Sequence, residues 1–452
     1  MNRSRSWLLS TLLVLVSGAV CAIELDLSFG YYGKSVTPGG LGGSWLYAMA
    51  VAPDGSIVVA GQIDYHAVIK RFDRRGYPDL TFGVGGVVTG GFGSFQDLAL
   101  AVAVQPDGRI VIAGVAYGPG TRLLVARYLV NGDPDPSFAG AGFVAIDPLG
   151  GGAGASSVAL DASGRIVVAG FANPQVPPSS PPVPGGFAVL RFLANGSLDG
   201  SFGTGGLSSL DMLDPATVTG MVLLPDGRTV VGGSALGPAG YFHFALARLL
   251  PDGAPDPSFG VGGRVFTEIG LTSECYGLAR DPSGRIVAVG PASFTGTSSV
   301  NAVARYLEDG TLDPAFGTGG VATPDLGHAL IRDVAVDAGG RILLAGAPDF
   351  VLARLLPSGQ SDPLIGPNGW TIAGMGSQYP IVAQPESIVV AADGGILIAG
   401  IVEIQAAGSF VEFGLVRYAP NATPIPVLSS AGWVLLGSLL GLSGLLAIRR
   451  SA

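Results

Sequence analysis

The chain has 452 residues, 48% of them apolar, with 73 glycines, 33 prolines and a formal net charge of −9. That much apolar content excludes a disordered chain, and so many glycines suit short strands joined by tight turns. The acidic balance, with Lys34 and Lys70 the only lysines, lacks the basic footprint of a nucleic-acid binder, so no nucleic-acid partner is expected.

Residues 1–22 read as a signal peptide. Arg3 and Arg5 supply the positive start, Trp7 to Val16 is almost wholly apolar, and Val20-Cys21-Ala22 offers small residues for cleavage after Ala22. Removal of Cys21 would leave Cys275 alone, without an intrachain disulfide partner, as a small buried hydrophobe.

Residues 23–418 hold seven copies of one unit, recognisable by three markers. The first is a pair of apolar runs joined by a turn, as in Ala101 to Gly114, with turn glycines at Gly55, Gly108, Gly164, Gly227, Gly284, Gly340 and Gly394. Asp-Gly between two such runs signals a hairpin, because glycine accepts the positive φ that the turn requires. The second is a strand ending in arginine: Arg71, Arg127, Arg191, Arg248, Arg305, Arg354 and Arg417. The third is an aspartate, two residues, then Phe-Gly: Asp26, Asp79, Asp135, Asp199, Asp256, Asp313 and Asp362, with Ala139 in place of Gly in the copy at Asp135 and Ile365 in place of Phe in the last copy. A glycine-rich, strand-like stretch follows. Each copy therefore holds four strands, here called A, B, C and D, in about 57 residues. Four strands are one propeller blade, whereas the coil of a parallel β-helix is much shorter.

The ends of the array predict how the ring closes. From Asp79 to Asp362 every aspartate lies eight residues after its arginine, but Asp26 has no upstream arginine and Arg417 no downstream aspartate. The chain starts with a D strand and ends with a C strand, so Leu25 to Val36 is expected to complete the seventh blade and remove the open sheet edge. An ion pair from the C-strand arginine to the D-strand aspartate is expected in every blade, with Arg417 and Asp26 pairing across the closure. The fold class is all-β: a seven-bladed β-propeller of four strands per blade, plus a C-terminal transmembrane helix.

The unit resembles the delta-60 repeat of bacterial surface proteins. The likeness rests on Leu-Asp-x-x-Phe-Gly at Leu25 to Gly30, the Pro-Asp-Gly turns, and Ala-Arg-Tyr at Ala126 to Tyr128 and Ala304 to Tyr306. It implies an exported or surface protein and specifies no activity.

Beyond the repeats, residues 419–430 form a Pro-rich linker and residues 431–448 an uncharged apolar segment near the minimum length of a spanning helix, followed by a basic tail at 449–452. Arg449 and Arg450 should stay cytoplasmic and leave the body outside. Ile425, Pro426, Val427 and Leu428, then Gly432 and Trp433, the helix and the two arginines resemble an IPTL-type sorting signal of Gram-negative bacteria, a relative of the PEP-type signal. That resemblance implies sorting machinery of the cell envelope as a partner and a membrane-anchored or cell-surface destination.

Catalytic chemistry is sparse. His66 and His243 occupy equivalent places in blades one and four, and with His328 they do not form ligand-like spacing, so neither metal nor cofactor is expected. No nucleophile elbow or phosphate loop is present. The A–B and C–D connections look short and uniform, whereas the B–C and D–A loops vary, from a Pro-rich insert at Asn173 to Gly186 to a minimal turn at Ala347 to Asp349. Variable loops mark a binding face. A non-catalytic surface module taking a glycan or protein ligand there is expected. The alternative is a hydrolase or lyase with acidic residues at the mouth of the central channel, for which clustered carboxylates of raised pKa would speak.

Overall fold

The computed structural model describes residues 23–40, 44–174, 186–212, 216–296, 298–375, 381–404 and 410–420. The segments expected to be a signal peptide, a sorting motif and a C-terminal transmembrane helix lie outside these residues. Among the described residues, no helix is long and apolar enough to cross a membrane.

Residues 23–418 form a seven-bladed β-propeller with strands paired in the order A-B-C-D in every blade. Blade 1 illustrates the plan: A is Trp45–Val51, B Ile57–Ile63, C His66–Phe72 and D Val87–Thr89. Turn glycines such as Gly108, with φ of 84°, close the A–B hairpins. In blade 5 strand A is interrupted, as Thr272–Ser273 and Gly277–Arg280. The seventh blade takes A, B and C from Ile381–Val390, Ile396–Ile404 and Phe410–Tyr418, and its D strand from Lys34–Gly40 at the other end of the chain.

The C–D connections are uniform but not short. Each of the first six blades uses fourteen residues, from Asp73 to Gly86 in blade 1, to carry the Asp-x-x-Phe-Gly segment. The Pro-rich insert is also smaller than the sequence suggests, since strand B of blade 3 continues to Pro174. Residues 175–185 lie outside the described residues.

Strand B of each blade is almost wholly buried, because both of its faces meet neighbouring blades. Seven apolar clusters result, each drawn from two adjacent blades. One joins Val111, Leu123 and Val125 of blade 2 to Ile166, Val168 and Leu190 of blade 3. The cluster joining Phe413 and Leu415 of blade 7 to Ile57 and Val59 of blade 1 includes Phe29 from the N-terminal segment.

The repeated arginine, aspartate and phenylalanine build a clamp at the C–D end of each blade. Arg127 Nε donates to Asp135 Oδ2 at 2.8 Å, one terminal nitrogen to Ser137 Oγ at 2.8 Å, and the other to the Ala194 carbonyl of blade 3 at 2.6 Å. Its guanidinium stacks 5.0 Å above the Phe138 ring. In blades 1 to 5 the clamp arginine thus ties its blade to itself and, through a backbone carbonyl, to the next. Equivalent ion pairs join Arg71 to Asp79, Arg191 to Asp199, Arg248 to Asp256, Arg305 to Asp313 and Arg354 to Asp362, at 2.7 to 2.8 Å. Across the closure, Arg417 Nε reaches Asp26 Oδ2 at 3.0 Å, while Asp26 N donates to the Arg417 carbonyl at 2.9 Å. A second arginine, directly after the turn glycine, approaches the same aspartate in blades 2 to 5. Arg109 stands 3.1 Å from Asp135, and Arg285 3.2 Å from Asp313.

Burial opposes ionisation of Asp135, but the Ser137 hydroxyl and N–H, followed by Arg127, outweigh it and hold the carboxyl below the usual range. Asp79 and Asp256 are lowered in the same way, with Thr81 and Ser258 as the hydroxyl partners. The Ser201 hydroxyl is the leading cause for Asp199.

Candidate functional site

The arginines and aspartates of the clamps are committed to ion pairs with one another. The groups that do converge lie on strand A, which faces the central channel in every blade. The path to them begins with a glycine. Six residues after each turn glycine, strand B carries another: Gly61, Gly114, Gly170, Gly233, Gly290, Gly346 and Gly400. At Gly114 a Cβ would collide with the Leu98 carbonyl oxygen of strand A. The same holds at Gly61 against Trp45, Gly170 against Gly154, Gly233 against Thr217, Gly290 against Glu274 and Gly400 against Gln384. The missing side chain lets strand A bulge inward. Pairing skips from Ala99 to Ala101 in blade 2, and equivalent shifts occur in blades 1, 3, 4, 6 and 7.

The residue left out of register stands eight positions before the turn glycine. It is Tyr47, Leu100, Ser156, Thr219, Tyr276, Arg332 and Glu386 in blades 1 to 7. All seven are half-buried and line one channel cavity of about 460 Å³. One shared backbone device therefore presents seven different side chains to one space.

Three channel residues are committed to holding blades together. Ser156 Oγ donates to the Val218 carbonyl of blade 4, and Thr219 Oγ1 to the Cys275 carbonyl of blade 5, both at 2.8 Å. Asp333, next to Arg332, accepts from Val334 N at 2.8 Å and from Ile388 N of blade 7 at 2.9 Å. The other blades carry Ala48, Ala101, Ser157, Gly220, Gly277 and Ser387 at that place. Asp333 keeps partial contact with the narrow channel, but protein surrounds its carboxyl. Burial raises its pKa to about 7 against the Ile388 and Val334 N–H groups, which favour the ion; nearby Glu386 adds to the rise.

Arg332, Glu386 and Tyr47 are not committed in this way. Arg332 Nε is buried without a hydrogen-bond partner, and the guanidinium lies 5.8 Å from the Tyr276 ring centroid. An unsatisfied buried donor costs about 1–3 kcal/mol, more when charged, so this arginine is poorly explained as scaffold. Burial raises the Glu386 carboxyl, and Arg332 works against that rise. Burial, then Glu386, pushes the Tyr47 phenol up to about 12. The Tyr276 hydroxyl donates to Glu274 Oε2 at 3.2 Å. A guanidinium, a carboxyl and two phenols on blades 5, 6, 7 and 1 thus form one polar wall, opposite Leu100, Ser156 and Thr219.

Tyr47, Arg332 and Glu386 stand on strand A and not on the loops. His66 is exposed and His243 buried on their C strands, and His328 sits in an exposed loop. Among the described residues, no three potential metal-ligating side chains come together. Cys275 is buried, its thiol pushed up to about 12 by desolvation. Lys70 is buried at the seam of blades 7 and 1, donating to the Pro38 carbonyl with its ammonium 4.6 Å from the Phe413 ring centroid. Burial lowers its pKa to about 8.

Four segments, residues 105–138, 162–202, 224–259 and 282–316, match the family described as "Domain of unknown function (DUF5122) beta-propeller". Each runs from the A–B hairpin of one blade to its clamp phenylalanine, in blades 2 to 5. No curated protein matches the chain. Among solved structures, it is similar to a protein of unknown function from Dyadobacter fermentans, with 12% identity, 86% of this chain and 98% of that chain covered, and a TM-score of 0.44. Virginiamycin B lyase from Staphylococcus aureus is similar at 10% identity, with 85% and 98% covered and a TM-score of 0.45. A protein from Lactobacillus plantarum is similar at 12% identity, with 81% and 97% covered and a TM-score of 0.45.

Proposed function

We propose that this propeller is an exported, non-catalytic binding module whose small polar ligand enters the central channel and meets Tyr47, Tyr276, Arg332 and Glu386. The observation that carries this reading is the difference between the two kinds of channel residue. Ser156, Thr219 and Asp333 have their hydrogen bonds taken up by the scaffold, whereas buried Arg332 Nε has none. Pockets with a few convergent polar groups are the usual ligand sites of such folds. The signal peptide at 1–22 and the anchor at 431–448, read from the sequence, would present the module in the cell envelope.

A second reading has one observation in its favour. Glu386 combines a raised pKa with access to the channel, as a general acid or base requires. Asp333 cannot serve as its partner while both its oxygens accept backbone N–H groups. Glycan and metabolite screening of the full chain, beside a Leu100→Trp variant that fills the channel, tests both readings. Ligands whose binding is lost in the variant support the channel site, and unchanged binding refutes it. Turnover abolished by Glu386→Gln would replace the binding reading with the enzymatic one.

A further inference from the structure

We infer that Arg332 is the anchor for a ligand carboxylate, and that the channel takes a small organic acid bearing hydroxyl groups, of the acidic-sugar class. This rests on the channel being the binding site. Among the described residues, Arg332 is the one cationic residue lining the channel cavity. Its guanidinium stays charged at any working pH and offers five N–H donors in a planar fork that matches a carboxylate. The acids beside it do not use that fork. Asp333 faces away to the N–H groups of Val334 and Ile388. Glu386 senses the arginine charge without forming an ion pair with it. Since no described residue accepts a hydrogen bond from this guanidinium and the side chain lines the cavity, its fork is open to an acceptor that arrives from outside.

The neighbouring groups define the rest of the ligand. Glu386, on the adjacent blade, can accept hydrogen bonds from hydroxyls, and the phenols of Tyr47 and Tyr276 offer flat apolar faces with polar tips. A bare inorganic anion would leave these groups unused. A simple sugar would leave Arg332 Nε unsatisfied, and an amino sugar would place a second cation beside the guanidinium.

The test is isothermal titration of the full chain with D-glucuronate, D-glucose and D-glucosamine, repeated on Arg332→Gln. Glucuronate is expected to bind at least tenfold more tightly than glucose, glucosamine is expected to be the weakest, and the substitution is expected to abolish the preference for the acid. Equal affinity for the acid and the neutral sugar, a preference for glucosamine, no binding of glucuronate, or a preference that survives Arg332→Gln would each overturn the assignment. An unchanged melting temperature for Arg332→Gln guards against misfolding as the cause of loss. Leu100→Trp separates the two levels of the argument. If it blocks ligands that ignore Arg332, only the carboxylate assignment falls; if it blocks none, the channel site itself falls.

Discussion

The rim and the channel of this propeller follow opposite rules. At the rim, the arginine and the aspartate stand in all seven blades, and phenylalanine is replaced once, by Ile365. In the channel, one backbone position carries seven side chains of which only tyrosine occurs twice. Repetition of an identical cluster is what stability demands, since every blade must grip its neighbour in the same way. Divergence at a position whose backbone is held constant is what recognition demands, since seven identical side chains could not read an asymmetric ligand.

The largest contrast should come from one arginine of each kind. Arg305 and Asp313 are almost completely buried, so Arg305→Ala would break the buried pair and leave Asp313 with only the more exposed Arg285 as a cationic partner. Breaking such a pair costs about 3–5 kcal/mol. Urea unfolding should show that loss for Arg305→Ala, against no loss for Arg332→Gln, which removes a buried donor that has no bond to lose. Equal effects would erase the distinction between rim and channel.

The next contrast lies between two glycines. Gly114→Ala must push strand A back out of its bulge, and overpacking of this kind costs about 1–3 kcal/mol. Gly346 is the exception among the seven, because its Cβ would meet Ala329 Cβ at 3.3 Å and the Leu330 carbonyl oxygen at 3.4 Å, distances that a slight shift can absorb. Gly346→Ala should therefore be nearly neutral in thermal melting. A similar loss at both would mean that the glycines serve something other than the bulge.

The same comparison extends to pH. Rim aspartates such as Asp79, Asp135 and Asp256 have native pKa values below their unfolded ones, so their contribution is complete above about pH 4 and is lost as pH falls through the native values. Asp333 acts in the opposite sense. Between about pH 4 and its native pKa of about 7, the folded chain holds a proton that the unfolded chain has released, so stability falls as pH rises through that window. Asp333→Asn should flatten the slope from pH 4 to 7 and leave the acid limb unchanged. A retained slope would assign it to Glu386 instead.

The smallest effect is expected at the closure. The Asp26 carboxylate is more exposed than that of Asp135, with 21% of its side chain accessible against 3%. Asp26→Ala should cost less than Asp135→Ala, of order 1 kcal/mol, because solvent screens the pair and Arg417 keeps Asp393 as a second partner at 2.5 Å. A larger loss at Asp26 would show that the ring depends on this latch more than on any internal clamp.

Much of the scaffold was legible because propeller physics is periodic. The eight-residue step from arginine to aspartate recurs, and its missing halves at Asp26 and Arg417 are enough to place the N-terminal strand beside the last one. The fourteen-residue length of the C–D segment was not legible, since its turns and bridges are local features without a hydrophobic period. The channel ring was overlooked for the opposite reason. Tyr47, Leu100, Ser156, Thr219, Tyr276, Arg332 and Glu386 have no chemistry common to all seven, so no repeated residue type marks the position along the chain. A signal was present in the glycine six residues after every turn, which marks a bulge in the partner strand.

By itself, the sequence determined the number of blades, the strands in each and the phase in which the ring closes. Those depend on spacing along the chain, and spacing is conserved from copy to copy. Only the tertiary structure decided which residues meet in the channel. Arg332, Asp333 and Glu386 lie on two blades, and their proximity to Tyr47 and Tyr276 exists only once the seven bulged strands are bent around one axis. Burial in that channel, rather than residue type, leaves Arg332 Nε without a partner and lifts the two carboxyls above their ordinary range.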